Sequence, residues 1–383
     1  MTSRIYLDNA ATSLPKPRGV AEAVANAIRR AGNPGRSGHA LSIRSARDLF
    51  RTRERLAALF EADDSSRFVF TANATAALNL AIKGLLRPGD HAVTTSVEHN
   101  SVTRPLRTMQ GSGVSVTVVP ADRTGRVSAK AVAAAITRRT RLVCFAHASN
   151  VAGAIQPAAA ILRAARARGA FVLLDASQTA GSLPLSLRSL PVDLLAAPGH
   201  KGLLGPQGTG FLYVREGVPI VPLVEGGTGS RSESDRQPDF FPDALESGTQ
   251  NSVGIAGLGV ALAWLLRKGV EAVRRKEVAL LAQLLEGMAR IPGVTVYGPS
   301  DPTRRVAAVP FRVEGRDPSQ VGFRLEREFG ILVRTGLHCS PGSHRTLGTF
   351  PEGTVRVSPG PFTTRREISI FLSALRKIAS SRR

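Results

Sequence analysis

An α/β fold is what this 383-residue sequence predicts: a largely parallel sheet covered by helices, with a smaller α+β domain. Three observations predict it. Short apolar and β-branched runs alternate with Ala/Leu/Arg-rich amphipathic segments, the rhythm of strand–helix units that build parallel sheets. Hydrophobic residues make up 43% of the chain, enough for one large domain with a sizeable core plus a smaller one. Beyond about Gly254 the pattern becomes one long helical stretch to Ile291, as a crossing helix would, before strand and helix segments return.

FVFT (68–71) is an apolar run of strand length, and ATAALNLAIKGLL (74–86) is helix-like. DHAVTTSV (90–97) and VSVTVV (114–119) are rich in β-branched residues and read as strands, followed by the helix-like SAKAVAAAITRR (128–139). RLVCFAHA (141–148), AFVLLDAS (170–177) and VDLLAA (192–197) are further strands, the first two separated by the helix-like QPAAAILRAARARG (156–169). In such sheets ligands gather beyond the carboxyl ends of the strands, so the polar residues there carry information. They are Asn73 to Thr75, Glu98 to Asn100, Ser149 with Asn150, Asp175 to Gln178, and His200 with Lys201.

Composition removes several function classes. No apolar stretch is long and charge-free enough to span a bilayer, and MTSRIYLDNAATS lacks the apolar core of a signal peptide, so a cytoplasmic location and no membrane contact are expected. Cys144 and Cys339 lie far apart, with neither a disulfide framework nor metal-ligand spacing. The formal charge of +22 raises nucleic-acid binding, but the basic residues are scattered, often beside acidic ones as in RSARDLFRTRERL (44–56). Aromatic residues are only 5% of the chain, too few for base-stacking platforms. Most of this charge is read as solvated helix faces, with a smaller share left for an acidic partner or polyanion.

The chemistry concentrates at strand ends. A lysine in a turn ordinarily faces solvent, yet Lys201 stands in AAPGHKGLLGPQGTG (196–210), directly after an apolar run and among glycines that let a backbone approach a ligand. Asp175 ends an apolar strand, where it either caps the next turn or pairs with a buried cation. A lysine and an aspartate at neighbouring strand ends suit an aldehyde cofactor with a basic ring nitrogen, which is pyridoxal 5'-phosphate. TANATAALNL (71–80) adds a helix start whose free amides and Thr75 hydroxyl suit a phosphate, although alone it would read as a capped helix.

Taken together, YLDNAATSLPKP, NPGRSGH, EHNSV, HASNVAG, DASQTAG, GHKGLLGPQGTG, GGTGSRSES, ESGTQN and RTGLHCSP run through the chain in an order that resembles the class V, fold-type I pyridoxal-phosphate (PLP) transferases of the cysteine desulfurase and selenocysteine lyase group. The resemblance implies a mostly parallel seven-stranded sheet in a large domain of residues 16–257. Residues 1–15 and 258–383 would form the small domain, carrying the Cys339 loop and Arg356. It implies that Lys201 binds the cofactor covalently, that His99 stacks on its ring, that Asp175 pairs with the ring nitrogen and that Gln178 reaches the ring hydroxyl. Asn150 would lie near that hydroxyl and the substrate carboxylate. The Ala74 amide, Thr75 and His200 would hold the phosphate, with Thr249 reaching it from the partner subunit of a homodimer. Arg356 in TVRVS would bind the substrate carboxylate through its planar fork. Cys339, in a loop beside basic groups, would be the nucleophile that takes sulfur from L-cysteine and passes it to an acceptor protein, whereas Cys144 reads as a buried strand thiol. Pro198 and Ala76 depart from the family pattern beside the phosphate site, as does SPGPFTT (358–364) beside Arg356. Selenocysteine lysis, another class V reaction, and a basic polyanion-binding or sulfur-relay protein on the same fold are the alternatives.

Overall fold

The computed structural model describes residues 4–381 apart from 31, 36 and 37. Arg36 and Ser37 of NPGRSGH lie outside the described residues.

Strand β1 (Ile5–Tyr6) precedes helices α1 (Val20–Arg30) and α2 (Ala40–Phe60). The alternating region follows as β2 (Phe68–Thr71), α3 (Ala74–Leu85), β3 (His91–Thr95), α4 (Asn100–Gly111), β4 (Ser115–Val119), α5 (Ala129–Ala135), β5 (Thr140–Ala146), α6 (Ala158–Arg166), β6 (Phe171–Asp175), β7 (Leu194–Pro198) and β8 (Gly210–Val214). These strands form one seven-stranded sheet in the order β2-β8-β7-β6-β5-β3-β4. Pairing is parallel from β7 to β4, while β8 runs antiparallel to both β7 and β2. The largely parallel sheet expected from the sequence is therefore present. Its one reversed strand, GFLYV, lies outside the expected set, because it follows the glycine-rich turn without a helix to announce it.

Two apolar clusters sandwich this sheet, as a parallel sheet buried on both faces requires. Val143, Phe145, Val172, Leu174 and Leu195 point into one with α2, while Leu142, Cys144, Leu173 and Leu194 point into the other with α3. Cys144 is buried there, as its strand position implied.

The expected single helix from 253 to 291 is instead two, α7 (Ser252–Lys268) and α8 (Val270–Ala289), bent by 80°. Gly269 makes the break: at φ 78° it takes a conformation that side chains disfavour, and its N–H closes the last turn on Leu265 O at 2.8 Å. Ile255, Leu258, Leu262 and Leu265 of α7 stay in the core beside the large sheet. Among the described residues no single helix is long and apolar enough to cross a membrane.

The rest comprises β9 (Val294–Val296), β10 (Val309–Val313), α9 (Pro318–Phe329), β11 (Ile331–Leu332), β12 (Arg334–Gly336), α10 (Pro341–Leu347), β13 (Thr354–Val357) and α11 (Arg365–Ser380). Strands β12-β13-β10-β9 form an antiparallel sheet, and β1 pairs with β11. Ile5 and Leu7 share a core with Phe311, Val355, Phe371 and Leu375, so the amino-terminal segment packs with the carboxyl-terminal part.

Candidate active site

At the carboxyl edge of the large sheet, helix α3 starts three residues after β2. Asn73 caps it, its Oδ1 accepting the Ala76 N–H at 2.9 Å. The Ala74 and Thr75 amides, in the first turn, have no intrahelical acceptor and are free for an anion. Thr75 Oγ1 lies 2.8 Å from Ser101 Oγ, a hydroxyl contributed by α4. Gly210 crosses close behind: a Cβ there would come 2.8 Å from the Asn73 carbonyl carbon.

The lysine turn follows β7, and its glycines have a steric reason. A Cβ on Gly199 would meet Thr209 Oγ1 at 2.1 Å, and one on Gly202 would meet Ala180 O at 2.3 Å. Any other residue would push the turn away from its neighbours. The His200 carbonyl is fixed by the Ser13 N–H and by Lys16 Nζ, both at 3.0 Å.

A cavity of about 170 Å³ lies between these segments, and Ala74, Thr75, His99, Asn150, Asp175, Gln178, His200 and Lys201 all line it. Eight residues singled out in the sequence thus meet in one place. Pro198 and Ser101 complete part of its wall.

The electrostatics of this cavity suit proton chemistry. Burial pulls the Lys201 ammonium down to about 8, opposed by Asp175 and reinforced by Arg356 and Arg334. The buried Asp175 accepts the Ser177 N–H on Oδ1 at 2.9 Å. Burial, then Lys201, pulls His99 down to about 4. His99 Nδ1 accepts the Ser101 N–H at 3.1 Å, which assigns the proton of its neutral ring to Nε2. Behind it, burial pushes the Glu98 carboxyl up to about 8, although Thr95 and the Ala146 N–H support its charged form.

Cys339 is exposed, on the loop between β12 and α10. His338 and Cys339 have φ values of 49° and 60°, a pair of side-chain-bearing residues in left-handed conformation, each costing about 1–2 kcal/mol. Hydrogen bonds hold them there. Asn150 Nδ2 donates to His338 O at 2.7 Å, the Asn100 N–H to Cys339 O at 2.9 Å and Ser340 Oγ to Glu98 O at 2.7 Å. The loop is thereby fastened to the two segments that carry His99 and Asn150. Arg334 Nη2 lies 3.4 Å from Cys339 Sγ.

Arg356 is buried on β13, directly across from Arg334 in the β12–β13 register. It donates to Asp8 Oδ1 at 2.8 Å and to Asn150 O at 3.0 Å, and its Nε has no hydrogen-bond partner. Gln178 Nε2 donates to Ala10 O at 3.1 Å.

Thr249 is not part of this constellation. It lines a separate cleft with Phe50, Arg53 and Thr228. Its segment is held there by Glu246, which pairs with buried Arg53 through two bonds at 2.7 and 3.1 Å. One arginine of the 44–56 segment therefore faces inward instead of forming a solvated helix face.

These residues fit pyridoxal 5'-phosphate. The nest at α3 offers amides and hydroxyls, the buried His200 Nδ1 has no hydrogen-bond partner, and Lys201 Nζ shares the cavity with the Asp175 carboxylate. Arg334 and Asp8 are the contributors that sequence reasoning passed over, although both stand in segments quoted for the resemblance.

Residues 5–371 match the family model described as aminotransferase class-V. The chain belongs to the class-V aminotransferase family. Among its class-V relatives it is 34% identical to a probable cysteine desulfurase from Methanothermobacter thermautotrophicus, over 99% of this chain and 96% of that one. It is 32% identical to a cysteine desulfurase from Pectobacterium atrosepticum, over 97% and 92% of the two chains. Among solved structures, the apo cysteine desulfurase from Thermococcus onnurineus NA1 superposes with a TM-score of 0.90 at 31% identity, covering 98% of this chain and 94% of that one. This class-V architecture accounts for the seven-stranded, mostly parallel sheet.

The buried imidazoles make stability pH-dependent. Burial pulls His99, His147, His200 and His344 down to about 4 and His338 to about 2. Their unfolded value is about 6.5, so as pH falls below it the unfolded chain takes up protons that the folded chain refuses, and stability falls. Burial has the opposite sign at Glu98 and Glu277, raised to about 8 and about 7, which favour the folded state as pH falls. Five imidazoles outweigh two carboxyls. The melting temperature is expected to drop steadily from pH 6.5 to 4.5 in differential scanning calorimetry, and a flat profile across that window would contradict these burials.

Proposed function

We propose that this enzyme is a cysteine desulfurase that takes sulfur from L-cysteine, releases L-alanine and leaves a persulfide on Cys339. The observation that carries the reading is Cys339 beside Arg334, on a loop fastened to the segments of His99 and Asn150. Class V enzymes use pyridoxal 5'-phosphate, which when bound supplies a covalent hold on the substrate amine and an electron sink for the α-carbon.

The chain's residues supply the rest. Lys201 would hold the cofactor covalently, and its amine, brought to about 8 by burial, is suited to take the substrate α-proton and to return one. Asp175 would keep the ring nitrogen protonated, His99 would stack on the ring as a neutral imidazole, and Gln178 and Asn150 would orient the ring hydroxyl. Ala74, Thr75 and His200 would hold the phosphate, with Ser101 adding a hydroxyl where Pro198 has none. Arg356, preset by Asp8, clamps the substrate carboxylate.

In the sulfur step the Cys339 thiolate attacks the substrate sulfur. The new S–S bond forms as the C–S bond breaks, and the electron pair stays with carbon, which is then protonated to give alanine. Arg334 Nη2, 3.4 Å from Cys339 Sγ, holds the sulfur in place. The persulfide then passes to a separate acceptor protein.

Because Thr249 lines a different cleft, we assign its phosphate contact to a second copy of the chain, which makes the working form a homodimer. Two free cysteines and an exposed nucleophilic thiol suit the reducing cytoplasm. Selenocysteine is the rival substrate, since its weaker carbon–selenium bond has less need of a protein thiol.

Alanine release from L-cysteine and from selenocysteine tests the assignment. Release from cysteine supports it. Release from selenocysteine alone would make the enzyme a lyase. Asp175→Asn is expected to lower cysteine turnover about a hundredfold with the fold retained, since it removes the charge that sustains the electron sink. Near wild-type turnover would remove Asp175 from this role.

A further inference from the structure

The reaction at Lys201 leaves much of the +22 charge unexplained, and one part of it is organised. Arg44, Asp48, Arg51 and Arg55 follow one another on α2 at spacings of four, three and four, which places them on one helix face. That face meets α1 and α7 in a cleft of about 210 Å³, where Arg30, at the end of α1, joins them. The space exceeds the ~150 Å³ cavity that accommodates a benzene ring. It is separate from the cavity at Lys201 and from the cleft that holds Thr249, toward which α2 turns Phe50 and Arg53.

The cleft is a built feature. Arg55 Nη1 donates to Gly259 O at 3.0 Å, which seats this guanidinium against α7. A Cβ on Gly259 would come 2.5 Å from Thr52 Oγ1 and 3.2 Å from Arg55 Nη1, so the close approach of the two helices depends on that glycine.

Positive charge in the cleft outnumbers negative charge. Four guanidinium groups face a single carboxylate, Asp48, and among the described residues none of the four has a carboxylate at ion-pair distance. Arg53 of the same helix, by contrast, holds Glu246 at 2.7 Å, and Arg324 on α9 holds Glu328 one turn away at 2.5 Å. Like charges lining a concavity focus a positive potential that an anion relieves, and the guanidinium fork matches phosphate oxygens.

We propose that the cleft between α1, α2 and α7 is a binding site for a diphosphate group, with Arg44 and Arg51 gripping its oxygens and Arg30 and Arg55 flanking them. A free diphosphate and the diphosphate of a nucleotide share this chemistry. The site is independent of the desulfurase reading, and its test does not use turnover.

The test is isothermal titration calorimetry of the cofactor-loaded enzyme, whose phosphate nest at α3 is already filled, with inorganic pyrophosphate and with ADP at low and physiological ionic strength. Wild type is expected to bind pyrophosphate, more weakly as salt rises. Arg51→Gln is expected to weaken binding at least about tenfold, since bonds to a charged group are involved, and Arg44→Gln in the same chain to weaken it further. Asp48→Asn keeps every arginine and removes the opposing charge, so it is expected to tighten binding severalfold. This gain cannot come from a damaged fold. ADP binding more tightly than pyrophosphate identifies a nucleotide as the source, and equal or weaker ADP binding identifies free diphosphate. The proposal is overturned if wild type binds neither probe at low salt, if Arg51→Gln binds like wild type, or if Asp48→Asn does not bind more tightly.

Discussion

Lys201→Ala is expected to yield a chain to which borohydride attaches no cofactor and in which alanine release from cysteine falls by about ten-thousand-fold or more. Two functions disappear together, the covalent link and the proton carrier. The size follows from the setting. Among the described residues Lys201 is the one lysine lining the cavity, and burial has already brought its amine to about 8, near the pH at which it must exchange protons. Lys16, whose Nζ reaches the His200 carbonyl, is also pulled down to about 8 by burial, but that Nζ is held by Ser13 Oγ at 2.8 Å and His200 O at 3.0 Å. A reduced adduct on Lys16 in the variant, or turnover within tenfold of wild type, would show that the assignment of Lys201 is wrong. Because the helix start at α3 proposed to hold the phosphate is untouched, the variant is expected to retain cofactor reversibly and to melt near the wild-type temperature.

Cys339→Ala separates sulfur transfer from cofactor chemistry. The substitution removes an exposed side chain and leaves the hydrogen bonds made by the His338 and Cys339 carbonyls, so the loop retains its fastening. The cavity residues do not change. The variant is expected to stay yellow and to change its spectrum on adding cysteine, while alanine release from cysteine falls by several orders of magnitude for want of a nucleophile. Release from selenocysteine is expected to persist. If the variant desulfurates cysteine at the wild-type rate, Cys339 is only a loop cysteine. If it loses its colour, the loop serves the cofactor and not the sulfur.

Much of this site was legible in the sequence for a physical reason. Parallel strands are short apolar runs with detectable ends, and the chemistry stands within a few residues of those ends, so Asp175, Asn150 and Lys201 could be read along the chain. What depended on distant pairing could not. Arg334 acquires its role by lying across from Arg356 in the β12–β13 register, and Asp8 by meeting that same arginine from the amino terminus. The ion pair of Arg53 with Glu246 joins residues 193 apart, so a helix arginine that reads as solvated is buried. The break at Gly269 was visible as a glycine, but helical periodicity continues on both sides and conceals the bend. β8 was missed because an antiparallel return needs no helix and leaves no alternation to detect.

Sulfur transfer to Cys339 is read directly from a single turnover of wild-type enzyme with one equivalent of L-cysteine and no reductant, followed by alanine quantification and peptide mass mapping under conditions that preserve persulfides. One alanine per active site is expected, with one added sulfur atom located on the peptide that contains Cys339. Added sulfur on Cys144, or alanine formed with no sulfur on the chain, would contradict that transfer.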